Sequence, residues 1–259
     1  MYATERHARI IDELDSDGRV SVTTLSRSLD VTAETIRRDL DVLEAAGALR
    51  RVHGGAVRRS SVVELDLGER ERRNTPAKRA IAAAALDLLV HAKPAAIAMD
   101  AGTTTRALAD LLADHVPAAG LLDVVTHAVP IVLRLQDNRA LTVHAVGGVV
   151  RPETSAAVGL PALDGFARTR CDLAFVGANG LSADFGLSTP DEREAAVKTA
   201  IIRSARRTVA LVDSSKFGEE SFVRFADLAD LDVLITDRAP DPDLADALAS
   251  AGVEVVVPA

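Results

Sequence analysis

The first sixty residues carry apolar positions with helical spacing, interrupted at short intervals by polar turns. Residues 5–17 place Ile10, Ile11 and Leu14 on one face of a helix that stops at Gly18. The rest of the chain changes to short, continuous apolar runs separated by helical segments. The pattern therefore predicts a small helical unit followed by a larger unit of a different class.

Residues 20–39 predict two short helices joined by a tight turn. Ser21 is a candidate N-cap for the first helix. The apolar stripe of this helix has the spacing i, i+3 and i+7: Val22, Leu25 and Leu29. The dipeptide Asp30-Val31 then breaks the pattern, as a turn does.

The second helix is predicted to begin after the N-cap Thr32, to run to about Ala46 and to end before Gly47. Its inward face is apolar: Ile36, Leu40 and Leu43. Its outward face is polar and carries basic groups: Glu34, Thr35, Arg37 and Arg38. Because arginine matches guanine edges and phosphates bidentately, this face is typical of a recognition helix in the major groove. A pair of solvated surface arginines gives the same pattern, so the helix alone leaves both interpretations open.

The segment ALRRVHGGAVRR, residues 48–59, has two short apolar-polar runs around a Gly-Gly dipeptide, which predicts a β-hairpin. Its charged residues are basic, and a short strand at residues 19–21 can pair with it. A basic hairpin after a recognition helix is a wing whose arginines lie against phosphates or in a minor groove. Residues 1–58 are therefore predicted to form a winged helix-turn-helix. Its predicted DNA-binding residues are Ser21, Thr32, Thr35, Arg37, Arg38, Arg50, Arg51 and His53.

Residues 59–74 are polar and lack a period, which suits a linker, with a short strand possible at 62–65. Thr75, as the capping residue, and Pro76, at the first helical position, then open a helix to about His91. Strands are predicted at 96–100, 122–126, 141–146, 173–177, 208–213, 233–236 and 253–257, with helices between, among them 104–115 and 129–135. Continuous apolar strands that alternate with helices indicate a parallel sheet covered on both faces. Residues 75–259 are thus predicted to be one α/β domain, large enough to hold a ligand site and an oligomer interface.

Small molecules bind such sheets beyond the carboxyl ends of the strands. Asp100 ends one predicted strand, and Gly102, Thr103, Thr104 and Thr105 open the next helix. The glycine permits close approach of the backbone, and a helix N-terminus offers free N–H groups to an anion. A threonine-rich helix cap explains the same residues without a ligand, but the position after a buried strand favours phosphate binding.

Further polar groups fall on other predicted loops: Gly147, Gly148, Arg151, Asn179, Glu194, Lys198, Asp213 and Lys216. Lys216 can supply a cation to a phosphate, and Asp213 can accept a hydrogen bond from a sugar hydroxyl. A simple turn with an exposed lysine accounts for them equally well. Glu194 and Lys198 have the i, i+4 spacing of a solvated helix ion pair, which is the commoner explanation of that spacing.

The formal net charge is −8, which argues against indiscriminate binding of nucleic acid. Residues 1–60 hold ten Lys and Arg against ten Asp and Glu, and the remainder holds 20 against 28. A neutral unit with a basic wing suits a sequence-specific binder. Because one small module makes few contacts, the composition also predicts a homodimer or homotetramer.

The chain has 259 residues, 48% of them hydrophobic, enough for a real core in an α/β protein. Charges begin at Glu5 and Arg6, unlike in a signal peptide, and the longest apolar run, 80–90, contains Asp87 and is too short to span a bilayer. A cytoplasmic protein is therefore expected. The single cysteine, Cys171, precedes an apolar run and is predicted to be a buried structural thiol. The six histidines are scattered, so neither a metal site nor a cofactor is predicted.

Several segments resemble the DeoR family of bacterial transcriptional regulators: ERHARIIDEL, GRVSVTTLSRSLDVTAETIRRDLDVLEAAGALRRVHGGAV, DAGTTT, VGGVVRPET, STPDEREAAVK and DSSKFG. The resemblance covers nearly the whole chain and implies a sensor domain with a Rossmann-like fold similar to ribose-5-phosphate isomerases. By that analogy, residues 102–105 and Lys216 hold a phosphate. The residues implied to surround the sugar are Asp100, Arg151, Asn179, Glu194 and Asp213.

The resemblance implies a transcriptional repressor of a carbohydrate-utilisation operon, which binds double-stranded operator DNA and is released by a phosphorylated sugar. The opening MYATER resembles actinobacterial regulators of fructose utilisation and makes fructose 1-phosphate a first candidate effector. His127 and Ser188 stand where the family often has asparagine and threonine, so the effector's identity does not transfer. A second hypothesis is a sugar-phosphate isomerase with an accessory DNA module, whose acids move protons between carbons. Activation rather than repression also stays open.

Overall fold

A computed structural model of the protein describes residues 3–17, 19–46, 48–52, 54–58, 67–114 and 121–258. The chain divides into two compact units, Met1–Val63 and Glu64–Ala259. Predictions that concern Gly18, Gly47, His53 or the strand at 62–65 fall outside the described residues.

Three helices and a small antiparallel sheet make up the N-terminal unit. They are α1 (Ala3–Asp17), β1 (Arg19–Ser21), α2 (Val22–Ser28), α3 (Ala33–Ala45), β2 (Leu49–Val52) and β3 (Gly55–Arg58). The strand order is β1-β3-β2, with Arg19 opposite Val57 and Ser21 opposite Gly55. The predicted hairpin and its pairing with a short preceding strand are therefore confirmed.

The predicted apolar faces meet in one core, whose buried residues include Ile10, Leu14, Leu25, Ile36, Leu40 and Leu49. The turn between α2 and α3 places Asp30 in the left-handed region, at a φ of 51°, which aspartate tolerates better than most residues. Thr32 caps α3, as predicted, because its side chain accepts a hydrogen bond from the backbone N–H of Thr35 at 3.2 Å.

The capping bond predicted for Ser21 is wrong. Ser21 stands at the N-cap position of α2, but its side chain makes no capping hydrogen bond. The residue also ends β1, so pairing with Gly55 sets its backbone. The N–H of Val22 instead donates to the carbonyl oxygen of Gly54 at 2.8 Å, so the tip of the wing satisfies the start of α2.

The second unit is built on a seven-stranded parallel sheet of order β15-β14-β12-β9-β4-β5-β6. Its helices are α4 (Leu67–Arg72), α5 (Thr75–Ala92), α6 (Thr103–Ala113), α7 (Val129–Leu135), α8 (Leu160–Ala167), α9 (Glu192–Ser204) and α10 (Pro242–Ser250). The sheet strands are β4 (Ala96–Met99), β5 (Leu122–Thr126), β6 (Leu141–Ala145), β9 (Cys171–Val176), β12 (Ala205–Leu211), β14 (Val233–Ile235) and β15 (Glu254–Val256). The parallel α/β architecture is thus confirmed.

The order of the strands reverses between β4 and β9, since β5 and β6 extend the sheet on one side of β4 and the later strands on the other. In an open α/β sheet, such a switch point leaves a crevice at the carboxyl ends of the two strands. Asp100 follows β4, and Gly177 follows β9. These two residues therefore mark the place where a ligand is expected.

The structure adds short antiparallel strands and a helix that the sequence analysis did not predict. The strands are β7 (Val149–Arg151) paired with β8 (Ala156–Val158), and β10 (Gly180–Ser182), β11 (Gly186–Thr189) and β13 (Val223–Ala226) in a second small sheet. The helix, α4, lies within the segment predicted to be a linker. Asn74, not Thr75, is the N-cap of α5; the hydroxyl of Thr75 donates back to the carbonyl oxygens of Glu71 and Arg72.

Cys171 opens β9 and is 1% exposed. Burial raises the pKa of its thiol to about 11, and the carboxylates of Asp172 and Asp123 act in the same direction. The thiol is therefore protonated at neutral pH and inert, as expected for a buried structural cysteine.

Candidate functional site

The outward face of α3 presents two arginines beside one glutamate. The side chains of Arg37 and Arg38 are 54% and 79% exposed, and both approach the carboxylate of Glu34, at 3.4 and 3.7 Å. Ion pairs this exposed contribute little stability, so they hold the guanidinium groups only weakly. The two arginines are therefore available to a DNA partner.

The other predicted DNA-binding residues differ in how far the structure engages them. The hydroxyls of Thr32 and Thr35 lie 2.9 Å apart within the helix cap. The guanidinium of Arg51 donates to the carbonyl oxygen of Arg37 at 3.1 Å and contacts the Asp41 carboxylate. Arg51 thus braces the wing against α3. Arg50 lies in β2, and its side chain, like the whole of His53, falls outside the described atoms.

An ion-pair cluster that the sequence analysis missed ties α1 to α3. The carboxylate of Asp39 is buried and accepts from Arg6 Nε at 2.5 Å and Nη2 at 2.9 Å, and the ring Nε2 of His7 lies 2.9 Å away. Burial alone raises the pKa of Asp39, yet the hydrogen bonds and charges of Arg6 and His7 bring that pKa below its ordinary value. The cluster fixes the recognition helix on α1.

We expect Asp39→Asn to destabilise the N-terminal unit by about 1–2 kcal/mol at neutral pH, because a hydrogen-bonded charge partner of buried Arg6 is lost. The lowered pKa of Asp39 sets the pH dependence. Its stabilisation is present above the unfolded-state pKa and is lost as pH falls through the folded-state pKa. Urea unfolding between pH 7 and pH 3 should therefore show the difference between wild type and variant narrowing once the pH falls below the unfolded-state pKa. A constant difference across that range would contradict the assignment.

Asp100 is fully buried at the switch point, and both of its oxygens accept hydrogen bonds. Oδ1 accepts from the N–H of Gly102 at 2.9 Å and the hydroxyl of Thr105 at 2.6 Å. Oδ2 accepts from the N–H of Gly177 at 2.8 Å and contacts the ammonium group of Lys198. Asp100 thus joins the loops that follow β4 and β9.

Lys198 and Glu194 do not form the solvated helix ion pair that their spacing favours, because both face inward and are buried. Lys198 Nζ contacts Asp100, donates to the carbonyl oxygen of Gly177 at 2.9 Å and lies 5.3 Å from the centre of the Phe225 ring. Glu194 lies 2.7 Å from Nη1 of Arg151, which is also buried. Asp100 and Gly177 lie in the loops after β4 and β9, and Arg151 ends β7. The two side chains of α9 therefore hold these segments together.

The first turn of α6 begins where the sequence predicts an anion site. Gly102 is its N-cap; a Cβ there would lie 3.1 Å from both the Asp100 carboxylate and the Thr105 hydroxyl. The N–H of Gly102 is used by Asp100, whereas the N–H groups of Thr103, Thr104 and Thr105 lie in the turn where a helix has no internal acceptors. Three N–H groups at one helix end can bind a phosphate.

The loop after β12 carries Asp213 and Lys216 in a short 3₁₀ turn, Ser214–Lys216. Asp213 is buried, and its Oδ1 accepts from the hydroxyl of Ser215 at 2.5 Å and the side-chain amide of Asn74 at 2.8 Å. Lys216 is half-buried. The predicted sugar acceptor is thus already engaged by the segment before α5.

Lys78 joins this group, and the sequence analysis missed it. Its side chain is buried on the first turns of α5, and its Nζ donates to the carbonyl oxygen of Arg70. Burial lowers the pKa of Lys78; the Asp213 carboxylate raises it, and the Lys216 ammonium lowers it. The charges of Asp213 and Lys216 both act on the Lys78 ammonium, so Lys78 belongs with the loop after β12.

The remaining predicted residues lie on the small sheets. The Oδ1 of Asn179 accepts from the hydroxyl of Thr189 at 3.1 Å. Gly148 packs on β8, because a Cβ there would lie 2.5 Å from the carbonyl oxygen of Val158, and it leads with Gly147 into the strand that ends at Arg151. The backbones of these two glycines thus pack against the hairpin of β7 and β8.

The two departures from the family pattern are both buried. The Nδ1 of His127 lies 2.7 Å from the carbonyl oxygen of Ala157, and burial lowers the pKa of the ring, which is thereby kept neutral. The hydroxyl of Ser188 accepts from the N–H of Ser221 at 2.8 Å within the small sheet. Both side chains are therefore engaged in hydrogen bonds within the protein.

In the described part of the chain, no helix has the length and apolar character that crossing a membrane demands. The same residues do not bring three His, Cys, Asp or Glu side chains into a metal-binding group.

Comparisons with known proteins also divide the chain into an N-terminal and a C-terminal domain. Residues 6–62 match the model of the DeoR-like helix-turn-helix domain, and residues 73–238 match that of the DeoR C terminal sensor domain. The transcriptional regulator GlpR of Haloferax volcanii is 42% identical over 260 residues, covering 99% of this chain and 98% of the relative. The glycerol-3-phosphate regulon repressor of Haemophilus influenzae is 32% identical, covering 93% and 92%.

Among solved structures, a D-ribose-5-phosphate isomerase in complex with phospho-erythronic acid aligns over 54% of this chain and 52% of its own, with 16% identity and a TM-score of 0.37. So remote a likeness says nothing about what this chain binds. The Haloferax relative is archaeal, so the resemblance does not place the chain in a bacterium. With both family models matched and relatives aligned over nearly their full length, the chain belongs to the DeoR family of helix-turn-helix transcriptional regulators.

Proposed function

We propose that the protein represses a carbohydrate-utilisation operon and that a phosphorylated sugar releases it from the operator. The observation that carries the sensing role is that the first turn of α6, after β4, and the loop of Asp213 and Lys216, after β12, both lie at the carboxyl end of the parallel sheet, with Lys78 close enough to that loop for its charges to act on the ammonium group. A phosphate needs N–H donors and cations of this kind. The proposal also places the protein in the cytoplasm, with its operator.

On the DNA side, α3 reads the major groove with Arg37 and Arg38, and the wing contacts the backbone. The exposure of both arginines supports this role. One unit of this size makes few contacts, so we propose that a homodimer or homotetramer presents two recognition helices to two half-sites.

On the effector side, the N–H groups of residues 103–105 bind the phosphate together with Lys78 and Lys216. The sugar hydroxyls lie against Asp213, Asn179 and the Arg151–Glu194 pair. The charges of Asp100 and Lys198 neutralise each other, which supports a positioning role for this pair. Asp100 also accepts hydrogen bonds from the N–H groups of Gly102 and Gly177, and so holds the two loops that the ligand approaches.

The effector is a small phosphorylated polyol or sugar. The names of relatives suggest glycerol 3-phosphate, and the opening residues suggest fructose 1-phosphate. The deciding experiment is a gel-shift titration of the purified protein on the DNA upstream of its own gene, with each of these compounds and inorganic phosphate. Specific binding that one sugar phosphate weakens supports the proposal. Specific binding that none of these compounds weakens would contradict the proposed effector class. In a separate activity assay, turnover of a sugar phosphate would favour the isomerase hypothesis.

In the same assay, Lys216→Ala should raise the concentration of sugar phosphate that half-releases the operator by about tenfold, the effect of one charge-assisted hydrogen bond. Operator affinity without ligand should not change. Arg139→Ala is the matched control, because this exposed residue precedes β6 and lies at the opposite, amino end of the strands. An equal shift in both variants would show a general charge effect and contradict the site.

A further inference from the structure

The segment of residues 67–78, here called the clasp, is tied to three loops that carry proposed effector groups. Nη2 of Arg70 donates to the carbonyl oxygen of Glu153 at 2.6 Å, two residues beyond Arg151. The carboxylate of Glu71 pairs with Arg106, in the first turns of α6. The clasp therefore lies against both the hairpin loop and the phosphate-binding helix.

The third tie runs to the loop after β12. The side-chain amide of Asn74 donates to Oδ1 of Asp213 at 2.8 Å and to the hydroxyl of Ser215 at 2.9 Å. Asn74 adopts the left-handed conformation, at a φ of 53°, which asparagine tolerates better than most residues.

One of these ties and one contact within the clasp use groups that the effector also needs. Asn74 donates to Oδ1 of Asp213, and the ammonium of Lys78 donates to the carbonyl oxygen of Arg70 in α4. A sugar hydroxyl that donates to Oδ1 of Asp213 would displace the amide of Asn74, and a phosphate that accepts from Lys78 would draw its ammonium away from Arg70. At these two atoms, ligand binding competes with the contacts that hold the clasp.

We propose that the clasp is the element through which the effector acts: it is anchored in the ligand-free protein, and binding of a phosphorylated polyol or sugar releases it. This inference rests on the proposed function and adds its regulation. In chain order, α4 is the first described helix after the wing, so its release acts on the segment of chain that joins the second unit to the wing. The ligand favours the released state by as much as its differential affinity for the two states.

Asn74→Gly tests the competition, because glycine adopts the left-handed conformation freely and removes only the amide. The variant should bind the active compound about tenfold more tightly, since the ligand no longer displaces a hydrogen bond to a carboxylate. Glu71→Gln weakens the clasp without touching a proposed ligand group and should tighten binding about twofold. Arg72→Ala, an exposed charge on the same helix, is the control and should bind like wild type.

The measurements are calorimetric titration with fructose 1-phosphate, glycerol 3-phosphate and inorganic phosphate, and hydrogen exchange of residues 67–78 in the full chain. Exchange of the clasp should rise when wild type binds its ligand, and should already be high in ligand-free Asn74→Gly. If wild type binds a sugar phosphate but Asn74→Gly has the same affinity, or if the ligand slows exchange of the clasp, the inference is overturned and the proposed function stands. Wild type that binds none of the three would overturn both.

Discussion

Lys198→Met is expected to destabilise the second unit by about 3–5 kcal/mol at neutral pH, because it leaves the fully buried carboxylate of Asp100 without a counter-charge. The N–H groups of Gly102 and Gly177 and the hydroxyl of Thr105 would still donate to that carboxylate. Hydrogen bonds alone do not repay the transfer of a charge out of water. Urea unfolding followed by circular dichroism measures the loss.

The pH dependence of this variant identifies the cause. Burial raises the pKa of Asp100, but in the wild type the charge and hydrogen bond of Lys198 bring it below its ordinary value. Wild-type Asp100 therefore stabilises the fold above its unfolded-state pKa, and this stabilisation fades as pH falls through the folded-state pKa. Without Lys198, burial raises the folded-state pKa, so the variant should approach wild type at acid pH.

The double variant Asp100→Asn with Lys198→Met is the matched control, because it removes both charges and keeps the shapes of the side chains. It should recover much of the stability that Lys198→Met loses, since a neutral amide is far cheaper to bury than an unpaired carboxylate. If Lys198→Met costs less than about 1 kcal/mol, or if the double variant is the less stable one, the pair does not hold the loops as described.

The sequence predicted the parallel sheet well because its signal is local: each strand is a continuous apolar run, and each is followed by a helix. The pairing of Asp100 with Lys198 has no such signal, since the two residues are 98 positions apart. Both were predicted to be near the ligand because of their position in loops and first turns. Only the fold shows that they neutralise each other instead.

Two buried charges did leave a signal in the sequence. Asp39 falls between Ile36 and Leu40 on the inward face of α3, and Lys78 precedes Ile81 and Ala82 with the same helical spacing on α5. A charged residue with the spacing of an apolar face predicts that its side chain is buried and has a polar or charged partner. The identity of the partner still depends on tertiary packing.

The elements that were not predicted are short. β7, β8 and β10 have three residues each, too few for a period of two to stand out from chance. α4 has six residues and no apolar period, and contacts with distant loops hold it in place. In this protein, the elements that surround the proposed effector site are those least determined by local pattern.

Arg38→Ala is expected to lower the affinity for operator DNA so far that specific binding is no longer detected at ordinary protein concentrations. A bidentate contact with a base is worth about 1–3 kcal/mol, and a two-fold symmetric dimer loses it twice, so affinity should fall about a hundredfold or more. The side chain is 79% exposed and only weakly held by Glu34 at 3.7 Å, so the fold should lose little stability. Arg9→Ala on α1 removes the same charge from another exposed position and is the control.

At fixed salt, equilibrium binding to operator and to random DNA should show that Arg38→Ala loses mainly the preference for operator, whereas Arg9→Ala keeps it. An equal loss on both DNAs would mean that Arg38 contacts phosphates, and the base reading would then belong to another residue of α3.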